Sequence, residues 1–505
     1  MDRIDQLLQG KPADRLAIID HDGAAVCYGA LSAMVADVAG HLSAYGIRGG
    51  DRVILVAENA ALYGVVVLAL SRLDAWVTLV NARQTPVEIA AIVAHADARA
   101  LIFTAHMSAA AAAHAADHHA RKIASTNVGD IVISPLRSTT AEPVDPGPGQ
   151  VAALMYTTGT TSAPKAVMLT HDNLIFNARG SASLNRPGAG DRVLAMLPMT
   201  HIYGFGSMLL PCLFGGAALR MLPRFDPDTA IACLRDGDTL LPAVPQMYAA
   251  MIARLLAEGA RLDAPGLRHI TTGGAPLDPD LKRRVEAVFG LPMNNGYGMT
   301  ETSPTIAVTR ATEPRADISV GRSLPGVEVA IDAPGPDGVG EILIRGRNIM
   351  KGYYRDPEAT AKAIRKDGFF RSGDLGRIDA DGALFVVGRL KELIIRSGFN
   401  VYPPEIEAML TRHPEIAQAA VIGRPIPGNE EILAFVMRRP AKTGRTPPSP
   451  DMIRNWLQDR LAAYKIPQRI LIVDAFPTAA TGKILKHKLT AHFADQLAAS
   501  DAALT

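Results

Sequence analysis

Two apolar rhythms alternate through the first hundred residues. DRVILVAEN (51–59) is a near-continuous apolar run and reads as a strand buried on both faces. GVVVLALSRLDA (64–75) reads as a helix, and WVTLVNAR (76–83) as a second strand. VEIAAIVAHADA (87–98) has helical spacing, and RALIFTA (99–105) is again a strand. Strands alternating with helices predict α/β layers around a parallel sheet. An Ala-rich helix (107–121) follows, and the Pro, Gly and acids of STTAEPVDPGPGQ (138–150) predict a surface loop.

A second α/β stretch runs to about Leu324. Beyond it VEVAIDA, GEILIRG and ALFVVGR alternate between Gly/Asp turns, as in a β-rich subdomain. From Lys391 a compact α+β unit is predicted: the helix PPEIEAMLTRH, the strands AQAAVIG and EILAFVMRR, the helix PDMIRNWLQDRLAAY and the strand RILIVDA. PAKTGRTPPSP (440–450) is an exposed loop within it.

Val193 to Leu219 contains no charged residue and is long enough to span a bilayer. Its Pro198, Thr200, His201, Pro211 and several glycines make a poor lipid-facing helix, so a buried strand, a loop and a buried helix are expected. The 505 residues, 48% apolar and 20% charged, allow a large core or two to three domains. A net charge of +2 is too weak to imply a nucleic-acid or anionic-membrane partner. Cys27, Cys212 and Cys233 are scattered without metal or disulfide spacing, which fits a reducing cytoplasm. The charged start, MDRIDQLLQGKPADR, lacks an apolar signal core, so no secretory signal is expected.

Candidate chemistry begins at YTTGTTSAPKAVMLTH (156–171). A Walker loop needs a second Gly and a Ser/Thr where this chain has Pro164 and Ala166, so a P-loop ATPase or kinase is disfavoured. Thr157, Thr158, Thr160, Thr161 and Ser162 supply hydroxyl donors, Gly159 flexibility and Lys165 a point charge. The strand VAALMY precedes this loop, and a helix from about His171 is expected after it. The bland alternative is a Thr/Ser-rich surface turn.

GYGMTETSP (296–304) sets Tyr297 to stack on a nucleobase, Thr300 to bond a phosphate and Glu301 to hold magnesium. Its alternative is a helix cap. Asp374 and Arg389 flank a hairpin turn, DADG (379–382), and together suit ribose hydroxyls; the alternative is a surface ion pair. PTAATGKILKHKL (477–489) puts Lys483 after a Thr-Gly turn, against the reading of Lys483, Lys486 and Lys488 as a solvated basic tail. His106, His114, His118 and His119 invite a metal reading that lacks a third ligand at credible spacing.

Together these segments resemble the acyl-adenylate-forming (AMP-binding) superfamily: acyl- and aryl-CoA ligases, firefly-type luciferases and the adenylation domains of peptide synthetases. The branch resembled is the acyl-/aryl-CoA ligases, fatty acyl-CoA synthetases and 4-coumarate or 4-chlorobenzoate–CoA ligases among them. The resemblance implies an α/β protein with a large multi-subdomain N-terminal domain (1–390), built of two α/β layered sheets and a β-rich subdomain. A small mobile α+β C-terminal domain (391–505) would follow, with Lys391 as hinge. The loop Thr157, Thr158, Gly159, Thr160, Thr161, Ser162 and Lys165 would grip the β- and γ-phosphates of ATP. Gly274, Ala275, Pro276, Gly296 and Tyr297 would hold adenine, Asp374 and Arg389 the ribose, Thr300 the α-phosphate and Glu301 the Mg2+. Ser397 and Gly398 would approach the pantetheine arm of CoA, and Lys483 would catalyse adenylation. Ser162 and Ala166 stand where the family usually has Gly, which stiffens the loop. The implied reaction makes an acyl-AMP with release of pyrophosphate, then an acyl-CoA with release of AMP.

PMTHIYGFGSMLL (198–210) resembles the acyl-pocket segment, with His201, Tyr203, Gly204 and Phe205 as candidate walls beside Gly298 and Met299. It offers no carboxylate for the ammonium of an amino acid. Gly296 occupies the position where malonate-type ligases carry an Arg, which weakens a dicarboxylate substrate. An apolar monocarboxylate, aromatic or fatty, is expected; Gly204, Gly206, Gly274 and Gly298 suggest room for it. The alternative for His201 is a satisfied core histidine. Alternative functions are an acyl-AMP ligase loading a carrier protein and a malonate-type CoA ligase. The partners expected are ATP, a carboxylic acid and CoA, in the cytoplasm, without nucleic acid or a transmembrane segment; a homodimer is left open.

Overall fold

The computed structural model describes residues 1–157, 165–396, 399–426, 429–439, 448–478 and 484–502. They pack as two compact units, Met1–Val329 with Ile344–Phe370, and Ala330–Leu343 with Arg371–Thr505.

The first unit holds two large mixed sheets. One is eight-stranded with Arg52–Ala57 and Trp76–Asn81 at its centre. These pair in parallel, Val53 opposite Val77, and Ala100–Phe103 and Val151–Thr157 extend the parallel core on either side. The apolar runs predicted as buried strands are buried strands: every residue of Arg52–Ala57 is buried. Helix Ala61–Arg72 is apolar nearly all round because nearly all of it is buried. Helix Pro86–Ala96 opens with a capping box in which Thr85 and Glu88 satisfy each other's backbone N–H.

The expected Ala-rich helix is shorter than predicted, Ala109–Asp117. The chain then turns into a hairpin, Arg121–Thr126 against Gly129–Ile133. The alanines extend the helical signal past its end, while the hairpin turns on Gly129 at φ 126°, where a Cβ would be strained.

The second sheet is nine-stranded, with Met293–Gly298, His269–Thr272, Leu240–Ala243, Arg192–Ala195 and Ala218–Met221 running in that order through its middle. The uncharged stretch becomes strand Arg192–Ala195, short helical turns from Ile202 to Gly215 and strand Ala218–Met221. No helix among the described residues is long and apolar enough to cross a membrane.

A further sheet is four-stranded, in the order Val327–Asp332, Gly340–Gly346, Phe370–Ile378, Leu384–Arg389. The C-terminal part has the predicted order: helix Pro403–Thr411, strands Ile416–Ile426 and Asn429–Arg438, helix Pro450–Gln458 and strand Arg469–Val473. The last strand pairs in parallel with Asn429–Arg438. The packing groups residues 371–390 with this second unit.

Candidate active site

Two paired strands flank the hydroxyl-rich stretch. Val151–Thr157 pairs antiparallel with Lys165–Thr170, Tyr156 opposite Ala166 and Thr157 opposite Lys165. The helix expected from about His171 is helix His171–Asn185, capped by Thr170; Lys165–Thr170, read in the sequence as part of the loop, is a strand. Thr158, Gly159, Thr160, Thr161 and Ser162 lie outside the described residues. Thr157 Oγ1 donates to the Lys165 carbonyl at 3.4 Å.

Lys165 Nζ sits 4.6 Å above the ring of Tyr353. The Tyr353 hydroxyl donates to Glu301 Oε1 at 2.9 Å. Burial, with the Glu301 charge, holds that phenol far above its ordinary pKa, so it is a permanent donor. The hairpin lysine and the carboxylate of GYGMTE thus meet the face and the hydroxyl edge of one ring. Glu301 Oε2 has no hydrogen-bond partner among the described residues. One half-buried carboxylate oxygen is the donor magnesium takes from a protein when phosphates and water complete its shell, so the site fits that ion.

Strand Met293–Gly298 delivers Glu301. It pairs antiparallel with Thr305–Val308, Gly296 opposite Val308 and Tyr297 opposite Ala307. A single 3-10 turn, Thr300–Thr302, follows. Thr302 is its cap, accepting from the Met299 N–H at 3.2 Å. The helix-cap alternative therefore belongs to Thr302, leaving the Thr300 and Glu301 side chains for other work.

Tyr203 lies against the turn after strand His269–Thr272: Cβ atoms built on Gly273 and Gly274 would sit 3.6 and 3.8 Å from its ring. Its hydroxyl is buried without a partner among the described residues, and burial raises its pKa. Gly274 takes φ 75°, and Gly274 and Pro276 are exposed with Ala275 half-buried. A Cβ on Gly296 would meet only ordinary contacts, the nearest at 3.5 Å.

The reading of four glycines as room holds for Gly274 alone. A Cβ would come 2.4 Å from the Pro198 carbonyl at Gly204, 2.6 Å from Pro304 Cδ at Gly206 and 2.1 Å from the Pro304 carbonyl at Gly298. Those three are glycines because backbone passes close by. Phe205 is fully buried and opens a π-helical turn, Phe205–Leu209, while Met299 is half-buried. His201 is exposed, not a core histidine; its Nδ1 accepts from the Tyr203 N–H at 3.2 Å. His114 Nε2 faces the carbonyls of Ala82 and Gln84, at 3.1 Å each, which makes it a donor to backbone.

In the second unit Asp374 stands directly opposite Arg389, with Nε 2.9 Å from Oδ1. Asp374 is buried, so the pair is no freely solvated surface bridge. Lys391 is exposed on the one-turn helix Leu390–Glu392. Ser397, Gly398 and Lys483 lie outside the described residues.

Lys486 corrects the reading of a solvated tail. Its Nζ lies 2.7 Å from Glu407 and 3.0 Å from Glu392, and Glu407 also accepts from the Val421 N–H at 2.7 Å. Burial alone would lower the Lys486 pKa; the two carboxylates outweigh it and raise it. Lys488 is exposed, as a tail residue would be.

The sequence matches the AMP-binding enzyme family over residues 5–354 and the AMP-binding enzyme C-terminal domain over residues 405–483. This chain belongs to the AMP-binding enzymes. It is 35% identical to a feruloyl-CoA synthase of Amycolatopsis sp, over 94% of this chain and 95% of that protein. It is 34% identical to 4-coumarate–CoA ligase 5 of Oryza sativa subsp. japonica, over 95% and 92%. Among solved structures it is similar to ATP-bound MatB from Rhodopseudomonas palustris, with a TM-score of 0.84 and 30% identity over 98% of this chain and 99% of that one. The protein is an ATP-dependent, AMP-forming acyl-CoA ligase with the large N-terminal and small C-terminal domains of its relatives.

Sequence reasoning in this AMP-binding enzyme missed Tyr353. The available signal is GYYRD (352–356), two aromatics behind a glycine, a few residues after the predicted strand GEILIRG. Gly352 takes φ 147°, and a Cβ there would strike Thr360, so the edge strand bearing Tyr353 needs that glycine.

Proposed function

We propose that this ligase activates an aryl monocarboxylate as its acyl-AMP and passes the acyl group to free CoA. The observation that carries the acid class is Tyr203: a half-buried side chain against the Gly273–Gly274 turn, its buried hydroxyl without a partner among the described residues. A buried hydroxyl left unpaired is costly. A planar acid bearing a ring hydroxyl or ether oxygen would lie against the ring and supply that partner. The segment from Pro198 to Leu210 carries no Asp, Glu, Lys or Arg to pair with a second charge. Relatives named for feruloyl and 4-coumaroyl substrates support the same class.

In this reading Lys165 and the hydroxyls from Thr157 to Ser162 hold the β- and γ-phosphates, and Thr300 bonds the α-phosphate. Gly274, Ala275, Pro276, Gly296 and Tyr297 hold adenine, and Asp374 with Arg389 fixes the ribose hydroxyls. Lys483 places positive charge between two anions, the attacking carboxylate and the α-phosphate. Magnesium, when bound at Glu301, supplies further positive charge against the departing pyrophosphate. Ser397 and Gly398 guide the pantetheine arm. Lys391, exposed on its single helical turn, is the hinge between domains 1–390 and 391–505, which lets Lys483 and the CoA loop act in turn. The three unpaired cysteines support a reducing, cytoplasmic setting.

The test is pyrophosphate release across benzoates, hydroxycinnamates and short- to long-chain fatty acids, with and without CoA. Hydroxycinnamates are expected to lead, and Tyr203→Phe to erase their advantage over unsubstituted cinnamate. A preference for fatty acids would overturn the acid class. Release without thioester formation on free CoA would point to a carrier protein as acceptor.

A further inference from the structure

Glu301 and Lys165 carry opposite charges in one small region of the first unit, yet no ion pair joins them among the described residues. Tyr353 stands between them. Its hydroxyl takes Glu301 Oε1 at 2.9 Å and its face takes the Lys165 ammonium at 4.6 Å. A direct bridge would neutralise both groups and oppose their use on a magnesium-phosphate ligand. A neutral phenol orients each without cancelling either: the hydrogen bond occupies one carboxylate oxygen, and cation–π attraction seats the ammonium with its charge intact.

The backbone holds the ring at this place. Tyr353 pairs with Val167 and Gly352 with Met168, on the strand that starts at Lys165. On either side, the Lys351 N–H donates to the Met168 carbonyl at 3.0 Å and the Tyr354 N–H to the Ala166 carbonyl at 2.8 Å. The Tyr353 N–H donates to Thr360 Oγ1 at 2.9 Å. Glu301 is tied to the same segment, its carbonyl accepting from the Met350 N–H at 2.9 Å. Tyr353 as a whole is only 7% exposed.

We propose that Tyr353 is a positioning residue: it holds the Glu301 carboxylate for the metal and the Lys165 ammonium for the nucleotide phosphates, and it keeps the two from pairing with each other. This rests on the roles given above to Glu301 and Lys165. Tyr353→Phe removes the hydrogen bond and keeps the ring; Tyr353→Leu removes both contacts.

ATP binding to the full-length chain is measured by calorimetry with and without Mg2+, alongside the Mg2+ dependence of acid-stimulated pyrophosphate exchange. Tyr353→Phe is expected to raise the half-saturating Mg2+ roughly tenfold, with Mg2+-free ATP affinity unchanged. Tyr353→Leu is expected to weaken Mg2+-free ATP binding as well, by about threefold. A purely structural role would lower both affinities together in the two variants, and that result overturns the proposal. Glu301→Gln is the control. If it shifts the Mg2+ dependence while Tyr353→Phe does not, the Tyr353 assignment alone fails. If Glu301→Gln leaves the Mg2+ dependence unchanged, the metal role of Glu301 fails and the assignment falls with it. Should Tyr353→Leu not fold, Tyr353→Phe decides alone.

Discussion

Lys165 and Lys486 both follow a glycine-containing stretch of sequence, and the structure treats them oppositely. Lys486 is locked between Glu407 and Glu392, joining the C-terminal lysine segment to helix Pro403–Thr411 and to the residue after Lys391. Lys165 has no carboxylate at ion-pair distance among the described residues and rests on an aromatic face. An ammonium that must meet phosphate is kept from permanent counter-ions; one that fastens elements together is surrounded by them. Sequence position does not separate the two cases, since Lys486 lies three residues from the proposed catalytic Lys483. The company each lysine keeps does.

The largest expected effect separates Lys483 from its neighbour. Lys483→Ala should slow acyl-AMP formation by about 100- to 1000-fold, the cost of removing one preorganised electrostatic contact. Transfer from preformed acyl-AMP to CoA should stay near the parent rate in single-turnover assays. Equal loss of both half-reactions would erase the division of labour.

Next in size is Lys486→Met, which leaves Glu407 without its cation. It should cost about 3 kcal/mol in denaturant unfolding of the second unit, as for other broken part-buried pairs. Lys165→Met should change stability by no more than about 0.5 kcal/mol and instead raise the KM for ATP. If Lys165→Met proved the more destabilising variant, the contrast between the two lysines would be reversed.

The fold was legible where burial wrote itself into the pattern. DRVILVAEN and WVTLVNAR are apolar because both faces of their strands are covered; GEILIRG, expected to alternate, is buried from Gly340 to Ile344, whereas ALFVVGR leaves Val386 exposed. KAVMLT was hidden, because its Lys, Thr and Pro surroundings read as loop. The phosphate hairpin could be found through its hydroxyls, and Asp374 with Arg389 through the turn between them. Tyr353 could not: its meaning lies in an edge-strand pairing with Val167, 186 positions away by their numbers, and no local pattern encodes such a register. Gly204, Gly206 and Gly298 misled for a related reason. A glycine that makes space and one that admits a neighbouring carbonyl look identical in sequence.

The smallest expected effect sets the two units against each other in pH. In the first unit burial, with Arg3 nearby, holds His171 down to about 3 from an ordinary 6.5, and burial with Arg268 holds His269 at about 4. Their folded values lie below the unfolded ones, so the stability they contribute is complete above pH 6.5 and is lost as pH falls through the folded values. In the second unit Lys486 lies above its ordinary 10.5, so its contribution is complete below that value and is lost as pH climbs through the raised one. Glu407, raised by burial despite Lys486, is more comfortable in acid than in alkali. The first unit should therefore loosen on the acid side and the second on the alkaline side. Each unit carries one of the two tryptophans, Trp76 in the first and Trp456 in the second, so Trp456→Phe and Trp76→Phe variants report on each separately. The Trp76 signal should fail first in acid and the Trp456 signal first in alkali. His171→Gln should reduce the acid slope by up to about one proton per molecule. An unchanged slope would mean that His171 takes up its proton in the folded protein as readily as in the unfolded chain, so that burial does not hold its pKa down.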